Sequence, residues 1–228
     1  MESTSETHLL PARVSKQDIP AMYTWIAPTH DWLAVLVEAK ARSRGLEMAE
    51  IKEGEQILEV AVGTGLSFKH IIRQNGTGFN TGVDLTPAML NKAKKRAARS
   101  GQRNYSLLAG DAYALQFPDN TFDLVMNSYM FDLLPVTDFV PVLSEFKRVL
   151  KPGGRLVQIN MAPGKAWYNF LWEGLYRLHP ALLGGCRGVE MERYYKEAGF
   201  DKIEREYISQ RTFPSEVIRG FKPASTTT

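Results

Sequence analysis

Four residues early in the chain have types and spacing that could hold a ligand. In QILEVAVGTGLSFKHIIRQ, residues 56 to 74, an apolar run of strand length carries Glu59, then come Gly63 and Gly65, then a segment of helical period. Asp84 ends the next apolar run, 19 positions after Gly65. In a sheet of parallel strands a ligand binds beyond the carboxyl ends. The loop after the first strand approaches it most closely, because glycine has no side chain to hold it away. A carboxylate at the end of the second strand accepts hydrogen bonds from both ribose hydroxyls. Together these residues imply an adenosine-containing ligand; the alternative is that the glycines only make a tight turn and Asp84 caps the helix beginning TPAML.

The loop also narrows the kind of adenosine ligand. A dinucleotide loop needs a small residue three positions after its second glycine so that a helix can pack close and face pyrophosphate, and here that residue is Phe68. A phosphate-cradling loop needs glycine, lysine and a hydroxyl in succession, where this chain has FKH. What remains is an adenosine ligand without phosphates. Glu59 suits a cationic ammonium or sulfonium and would repel pyrophosphate.

The elements that must position these residues alternate in a fixed order. After residue 55, strand-length runs (QILEVAV, TGVDL, YSLLAGD, FDLVMNSY, RLVQINMA) are interleaved with helix-period segments (GLSFKHIIRQ, TPAMLNKAKKRAARSG, VTDFVPVLSEFKRVL). Such alternation predicts a parallel sheet covered by helices on both faces. Breakers fall between the elements: Asn75 and Gly76, Pro87, Gly101, and KPGG at 151–154 before a strand. The final stretch DKIEREYISQRTFPSEVIRGFKP alternates with period two, breaks at Pro214 and alternates again, which predicts an antiparallel pair at the sheet edge.

Bulk composition limits the function classes. With 228 residues, 44% hydrophobic and 23% charged, the chain can build one ordinary core. It is expected to form one domain over 21–228 after a flexible N-terminus, 1–20. A net charge of +3 is too small to argue for nucleic acid, and the basic run NKAKKRAARS, with Lys92, Lys95, Arg96 and Arg99 on about one face, has no interleaved aromatic residues for base stacking. The single Cys186 cannot form an internal disulfide and has no cysteine partner for a zinc site, so no metal is expected. The polar first stretch lacks the apolar core of a signal peptide. The expected location is cytoplasmic, with contact at an inner membrane surface as a further expectation.

LEVAVGTG, VDLTPAML, GDAYALQFPDNTFDLVMNSYMFDLL and LSEFKRVLKPGGRLVQIN resemble, in order, the motifs of class I S-adenosylmethionine-dependent methyltransferases, in particular the ubiquinone/menaquinone-methyltransferase-like branch. The resemblance covers about residues 23 to 222. It implies an α/β Rossmann-like fold: a seven-stranded mixed sheet, its last strand antiparallel, between helices, with an N-terminal helical cover and a helical lid insertion. It implies S-adenosyl-L-methionine as cofactor. Glu59, Ala61, Gly63 and Gly65 would surround the methionine portion, Asp84 would hold the ribose, and Leu85 and Met89 would pack on the adenine. Asp111 and Ala112 would meet the adenine edge, and Asn127 and Ser128 would supply backbone contacts near the reacting methyl. Met89 alternatively belongs to the core, and Asp111 to a turn. Ala61 departs from the family, which usually has glycine there.

The acceptor side rests on position. YTWIAPTHDWL, residues 23–33, resembles the family's aromatic entry segment, with Tyr23 and Trp25 as candidates for closing the pocket and His30 a candidate base; the alternative is a helix packed on the sheet through Trp25, Trp32 and Leu36. Tyr129, Asp132 and Asn160, just past the fourth and fifth strands, point toward the acceptor. Residues 163–188 exceed an ordinary loop, and Trp167, Phe170, Leu171, Leu175, Tyr176 and Leu178 form an apolar stripe at helical spacing. As a lid, with Trp167, Phe170 and Tyr176 touching substrate, this stripe implies a hydrophobic or aromatic acceptor. Flanked by Lys165, Arg177 and Arg187 it also suits a membrane interface, and the remaining alternative is a surface helix that completes the core. Two functional classes follow. One is a methyltransferase acting on a prenylated quinol, a phospholipid head group or a soluble aromatic metabolite; the other is a cofactor-binding subunit without turnover.

Overall fold

The computed structural model describes residues 19–164 and 187–224; within 19–35, side chains are described only at Ala21 and Thr24. In chain order the elements are helix α1 (Ile19–Ala49), strand β1 (Gln56–Val60), α2 (Phe68–Gln74), β2 (Phe79–Asp84), α3 (Pro87–Ala98), β3 (Tyr105–Ala109), β4 (Phe122–Ser128), two 3₁₀ turns (Phe131–Leu133 and Val136–Asp138), α4 (Phe139–Val149), β5 (Leu150–Met161), α5 (Glu192–Glu197), β6 (Asp201–Gln210) and β7 (Phe213–Phe221). The seven strands lie in the order β3-β2-β1-β4-β5-β7-β6. β1 to β5 are mutually parallel, and β7 runs antiparallel to both its neighbours. The expected α/β architecture with an antiparallel last strand is the observed one.

The central strands are apolar on both faces because both faces are covered. On one face Ile57, Leu124, Val157 and Val217 pack with Ala41 and Met48 of α1, Phe68, Ile71 and Ile72 of α2, and Leu90, Ala93 and Ala97 of α3. On the other, Leu58, Val125, Leu156 and Ile218 meet Phe139, Val142, Leu143 and Phe146 of α4 and Tyr194 and Tyr195 of α5. Rings here meet edge to face, as Phe139 does with Tyr194 at 4.9 Å between centroids, the geometry that aligns a ring edge with a π face. Alternation along a strand thus assigns each polar side chain to a face: Glu59, two after Ile57, looks toward α1 and α2, whereas Gln158 and Asn160, two and four after Leu156, look toward the α4 side.

Two details differ from the alternation read in the sequence. KPGG does not precede β5 but forms an irregularity within it: Leu150 pairs with Phe122, the register then shifts, and Arg155 pairs with Leu124. Likewise the terminal hairpin turns at Arg211 and Thr212, and Pro214 lies inside β7, opposite Ser209. That two-residue turn holds both residues at positive φ, 49° and 68°, without the Asn-Gly pair that normally announces it.

α1 is tied to the sheet edge by polar groups. Arg44 pairs with Glu206 through Nε at 2.8 Å and Nη2 at 2.6 Å. The Gln210 carboxamide bridges Leu36 O (2.7 Å) and Lys40 N (2.6 Å), the two groups that an uninterrupted helical ladder joins directly. Among the described residues no helix is long and apolar enough to cross a membrane. The expected flexible segment 1–20 and the expected lid fall almost wholly outside the described residues.

Candidate functional site

The carboxyl ends of β1 and β2 form one end of the site. Asp84 closes the loop after β1: its Oδ2 accepts from Gly63 N at 2.7 Å and its Oδ1 from Thr86 N at 2.8 Å. A carboxylate oxygen has two acceptor positions, so one N–H bond does not exhaust it. Gly63 stands at φ 55°, and a Cβ placed on it would meet only Ala61 O, at 4.0 Å, so the loop faces open space there. Gly65 differs: a Cβ on it would come within 3.1 Å of Ala93, so its role is close packing against α3. Arg96 of α3, expected only as a solvated cation, donates to Thr64 O and braces the same loop.

Glu59 is 2% exposed, and its Oε2 has no hydrogen-bond partner among the described residues. Burial pushes its carboxyl well above the ordinary range, the Arg42 charge opposes that, and the Asp84 charge adds to it. A buried acceptor without a donor fits the ammonium of an amino-acid moiety, which would supply both charge and hydrogen bond. Beside Asp84, Leu85 is 39% exposed, leaving an apolar face for a flat ring. Met89 is buried, so the core alternative describes its position. Asp111 Oδ1 accepts from Tyr113 N at 3.1 Å within a short turn closed by an Asp111–Ala114 bridge. Ala112 packs against the core beside it.

At the ends of β4 and β5 lies a second group. Asn127 is fully buried and donates from Nδ2 to Val60 O at 2.8 Å, fastening β4 to β1 just below the site. Ser128 Oγ has no partner among the described residues. Tyr129 follows at φ 51°, a left-handed conformation that costs a non-glycine residue about 1–2 kcal/mol and that turns the chain away from the sheet. Its hydroxyl meets Ser215 Oγ at 2.9 Å, and burial pushes its pKa well up, so it stays a donor at neutral pH.

Asp132 is fully buried in the first 3₁₀ turn. Its Oδ2 accepts from Met161 N at 3.0 Å, while Oδ1 has no partner among the described residues. Burial raises its pKa well above the ordinary value, against the Met161 N–H and the Arg187 charge. Asn160 is fully buried with neither Oδ1 nor Nδ2 partnered among the described residues. Next to this polar group Val37, Leu133, Met161 and Phe213 make a separate apolar cluster with Leu36 and Tyr129. Leu36 therefore packs as the helix alternative anticipates.

Arg187 needs correction. Expected as a cation flanking a membrane-facing helix, it is 1% exposed and donates to Asp132 O and Leu134 O, each at 2.7 Å. A guanidinium spent on two buried carbonyls cannot reach a lipid surface. Tyr23 and His30 lie on the α1 backbone, but their side chains are outside the described residues, as are Trp167, Phe170, Tyr176 and Cys186.

Sequence reasoning missed Arg42, the anchoring role of Arg187, and the buried pair Ser215 and Glu216. The pair had a signal: two polar residues inside the otherwise apolar strand FPSEVIRGF. Arg187 had none, because Asp132 and Leu134 lie far from it in sequence; Arg42 follows its partner Glu38 by one helical turn, a spacing the sequence does show.

Comparison with known proteins bears on this arrangement. Residues 57–154 match a family described as a methyltransferase domain. Demethylmenaquinone methyltransferase of Listeria monocytogenes serotype 4a (strain HCC23) is 30% identical over 232 residues, covering 91% of this chain and 96% of that protein. Aklanonic acid methyltransferase DauC of Streptomyces sp. (strain C5) is 32% identical over 142 residues, covering 62% of this chain and 64% of that protein. Among solved structures, the cyclase SpnF shares the fold with a TM-score of 0.74 at 18% identity, over 95% of this chain and 99% of that one.

Proposed function

Since the chain belongs to the class I S-adenosylmethionine-dependent methyltransferases, in the ubiquinone/menaquinone-methyltransferase-like branch, we propose that its acceptor is a lipophilic quinol of the prenylated type. The observation that carries this reading is the 30% identity to a demethylmenaquinone methyltransferase along 91% of the chain. The apolar cluster at the ends of β4, β5 and β7, beside buried polar groups, supports it: a ring needs apolar walls, and its hydroxyls need a few convergent partners.

Bound S-adenosylmethionine supplies an electrophilic methyl on a sulfonium that leaves as a neutral thioether. The chain holds it with Glu59 at the ammonium, the backbone of Ala61, Gly63 and Gly65 along the methionine portion, and Asp84 at the ribose. Leu85 would pack on the adenine, with Asp111 and Ala112 at its edge, while Met89, buried in the core, would support that side from within. The Asn127 and Ser128 backbone lies near the reacting carbon.

Asp132 in its ionised form accepts the proton of a quinol hydroxyl. Its raised pKa brings it nearer the working pH, which makes it a better base than an ordinary carboxylate. With the hydroxyl proton taken up by Asp132, a ring carbon would be the nucleophile toward the methyl that the cofactor would supply, its sulfur keeping the bonding pair, and the proton displaced from that carbon would pass to water. Tyr129 donates to an acceptor oxygen, and Asn160 reads a second one. The sequence-based roles of Tyr23 in closing the pocket, of His30 as an alternative base and of Trp167, Phe170 and Tyr176 as acceptor contacts belong to the same proposal and fall on side chains outside the described ones. The main contribution is water exclusion and alignment, since the leaving group is already cationic.

A second acceptor class, a soluble aromatic metabolite, is supported by the 32% identity to aklanonic acid methyltransferase over 142 residues. The experiment supplies the purified protein with methyl-deuterated S-adenosylmethionine and, separately, a reduced prenylated demethylquinone and its tail-less analogue. The reading expects label in the prenylated quinol with a KM well below that of the analogue. Equal use of both supports the aromatic-metabolite reading, and label in neither sinks the quinol acceptor.

A further inference from the structure

β3 forms one border of the sheet and β6 the other, and the two differ in chemistry. β6 carries Asp201, Lys202, Glu204, Arg205 and Glu206, and its register against β7 shifts between Asp201 and Glu204. Charges and irregular pairing are the devices that keep a strand edge from recruiting another chain. β3, with the sequence YSLLA, has no charge, no proline and no shift in its pairing with β2.

Hydrogen bonding fixes which backbone groups this edge offers. Asn104 O accepts from Asn80 N at 3.0 Å, and Gly110 N donates to Asp84 O at 3.1 Å, so both residues face β2. A parallel ladder uses alternate residues, which turns Ser106 and Leu108 toward β2 as well and points the N–H and C=O of Tyr105, Leu107 and Ala109 outward. Among the described residues these outward groups have no hydrogen-bond partner. Side chains alternate too. Leu107 packs in the core with Leu90 and Ala93 of α3, while Leu108, paired with Val83, stands on the other face and is 45% exposed.

A second copy of the same strand complements this edge. With a two-fold axis at Leu107, antiparallel pairing joins Leu107 to Leu107, Tyr105 to Ala109, Ser106 to Leu108 and, just outside the strand, Arg103 to Asp111. The outward N–H and C=O groups then meet as hydrogen-bonded pairs. Large side chains meet small ones beside the axis, and opposite charges meet at both ends. Arg103 is exposed and has no ion pair among the described residues. Moving the axis to Tyr105 or Ala109 slides the strands past each other and separates the charges.

We propose that the β3 edge is a self-association surface, on which two copies of this chain pair antiparallel about Leu107 and join their seven-stranded sheets edge to edge. The contact is small, and the basic helix α3, which packs over β3, sets like charges near the axis. The dimer is therefore weak and reversible, in the micromolar range. Pairing requires neither cofactor nor acceptor, so it stands apart from the activity proposed above.

The test is sedimentation equilibrium of the full chain over a range of protein concentrations, with amide hydrogen exchange on the same samples and urea unfolding to verify the fold of each variant. A reversible monomer–dimer equilibrium is expected. Exchange at Tyr105, Leu107 and Ala109 should slow as concentration rises, while Ser106 and Leu108 stay protected throughout. Leu108→Lys should weaken the dimer about 10-fold or more, and Arg103→Asp, which sets two acids face to face at each end, by a similar factor. Arg103→Asp combined with Asp111→Arg should restore most of the wild-type affinity, because only this register brings the two positions together. A chain that stays monomeric at every concentration overturns the proposal. So does a dimer that ignores Leu108→Lys, a folded charge swap that restores nothing, or exchange protection that appears on another strand.

Discussion

Asp84 and Gly63 are joined by a 2.7 Å hydrogen bond from the glycine N–H to the carboxylate Oδ2. The end of β2 thereby fixes the loop that follows β1, and the group expected to hold a ribose also shapes the glycine loop beside it. Asp84→Asn keeps the shape but removes the charge and presents a donor at one position. S-adenosylmethionine affinity measured by calorimetry should fall about 10-fold or more, the value of one or two charge-assisted hydrogen bonds. Unchanged affinity would remove Asp84 from the ribose site.

Ala61 occupies a left-handed conformation, φ 56°, where the family usually has glycine. Its Cβ is costly there by about 1–2 kcal/mol, and the extra freedom of an unfolded glycine offsets about 0.4–1 kcal/mol of what its removal gains. Ala61→Gly should therefore raise unfolding stability in urea by up to about 1 kcal/mol, with cofactor affinity retained. A clear loss of stability would show that the loop relaxes around alanine in solution.

The buried Asp132 predicts a pH dependence of known sign. Well below the unfolded aspartate value of about 3.9 both folded and unfolded chains hold its proton, so the group adds no pH dependence there. As pH rises, the unfolded chain releases the proton first, because burial raises the folded pKa, so this group's contribution to stability is lost up to the folded value. Urea unfolding of wild type and Asp132→Asn from pH 4 to 8 should show the variant gaining relative stability as pH rises. Methyl transfer by wild type should rise over the same range as the base ionises, and the variant should be nearly inactive. A pH-independent stability difference would contradict the raised pKa.

Arg187 satisfies two buried carbonyls, Asp132 O and Leu134 O, and lies 5.9 Å above the Phe139 ring. Arg187→Met should destabilise the fold by about 3 kcal/mol, because both carbonyls lose their donor in a dry site. Lysine can reach only part of that geometry, so Arg187→Lys should recover less than half. A change under about 0.5 kcal/mol in denaturant unfolding would mean that water replaces the guanidinium, and with it the assignment of this residue as an anchor fails.

The alternation of apolar runs with helical periods, the glycines after β1 and the acid after β2 belong to contiguous segments, and local chemistry determined them: strand order apart, the α/β sheet, the joining of the glycine loop to Asp84 and the antiparallel edge follow from signals along the chain. Where local signals were missing, reading faltered. The Arg211–Thr212 turn lacks its customary glycine, and the irregularity at 151–154 looks like an ordinary boundary. Tertiary structure alone decided which cations are buried and what they meet. Arg187 looks like a surface charge in the sequence, and packing puts it under a 3₁₀ turn, because a buried charge is defined by groups that only the folded sheet brings together. The same holds for Asp132, Asn160 and Ser215. Their residue types allow hydrogen bonding anywhere, and they are buried as one polar group because the ends of β4, β5 and β7, distant along the chain, converge there.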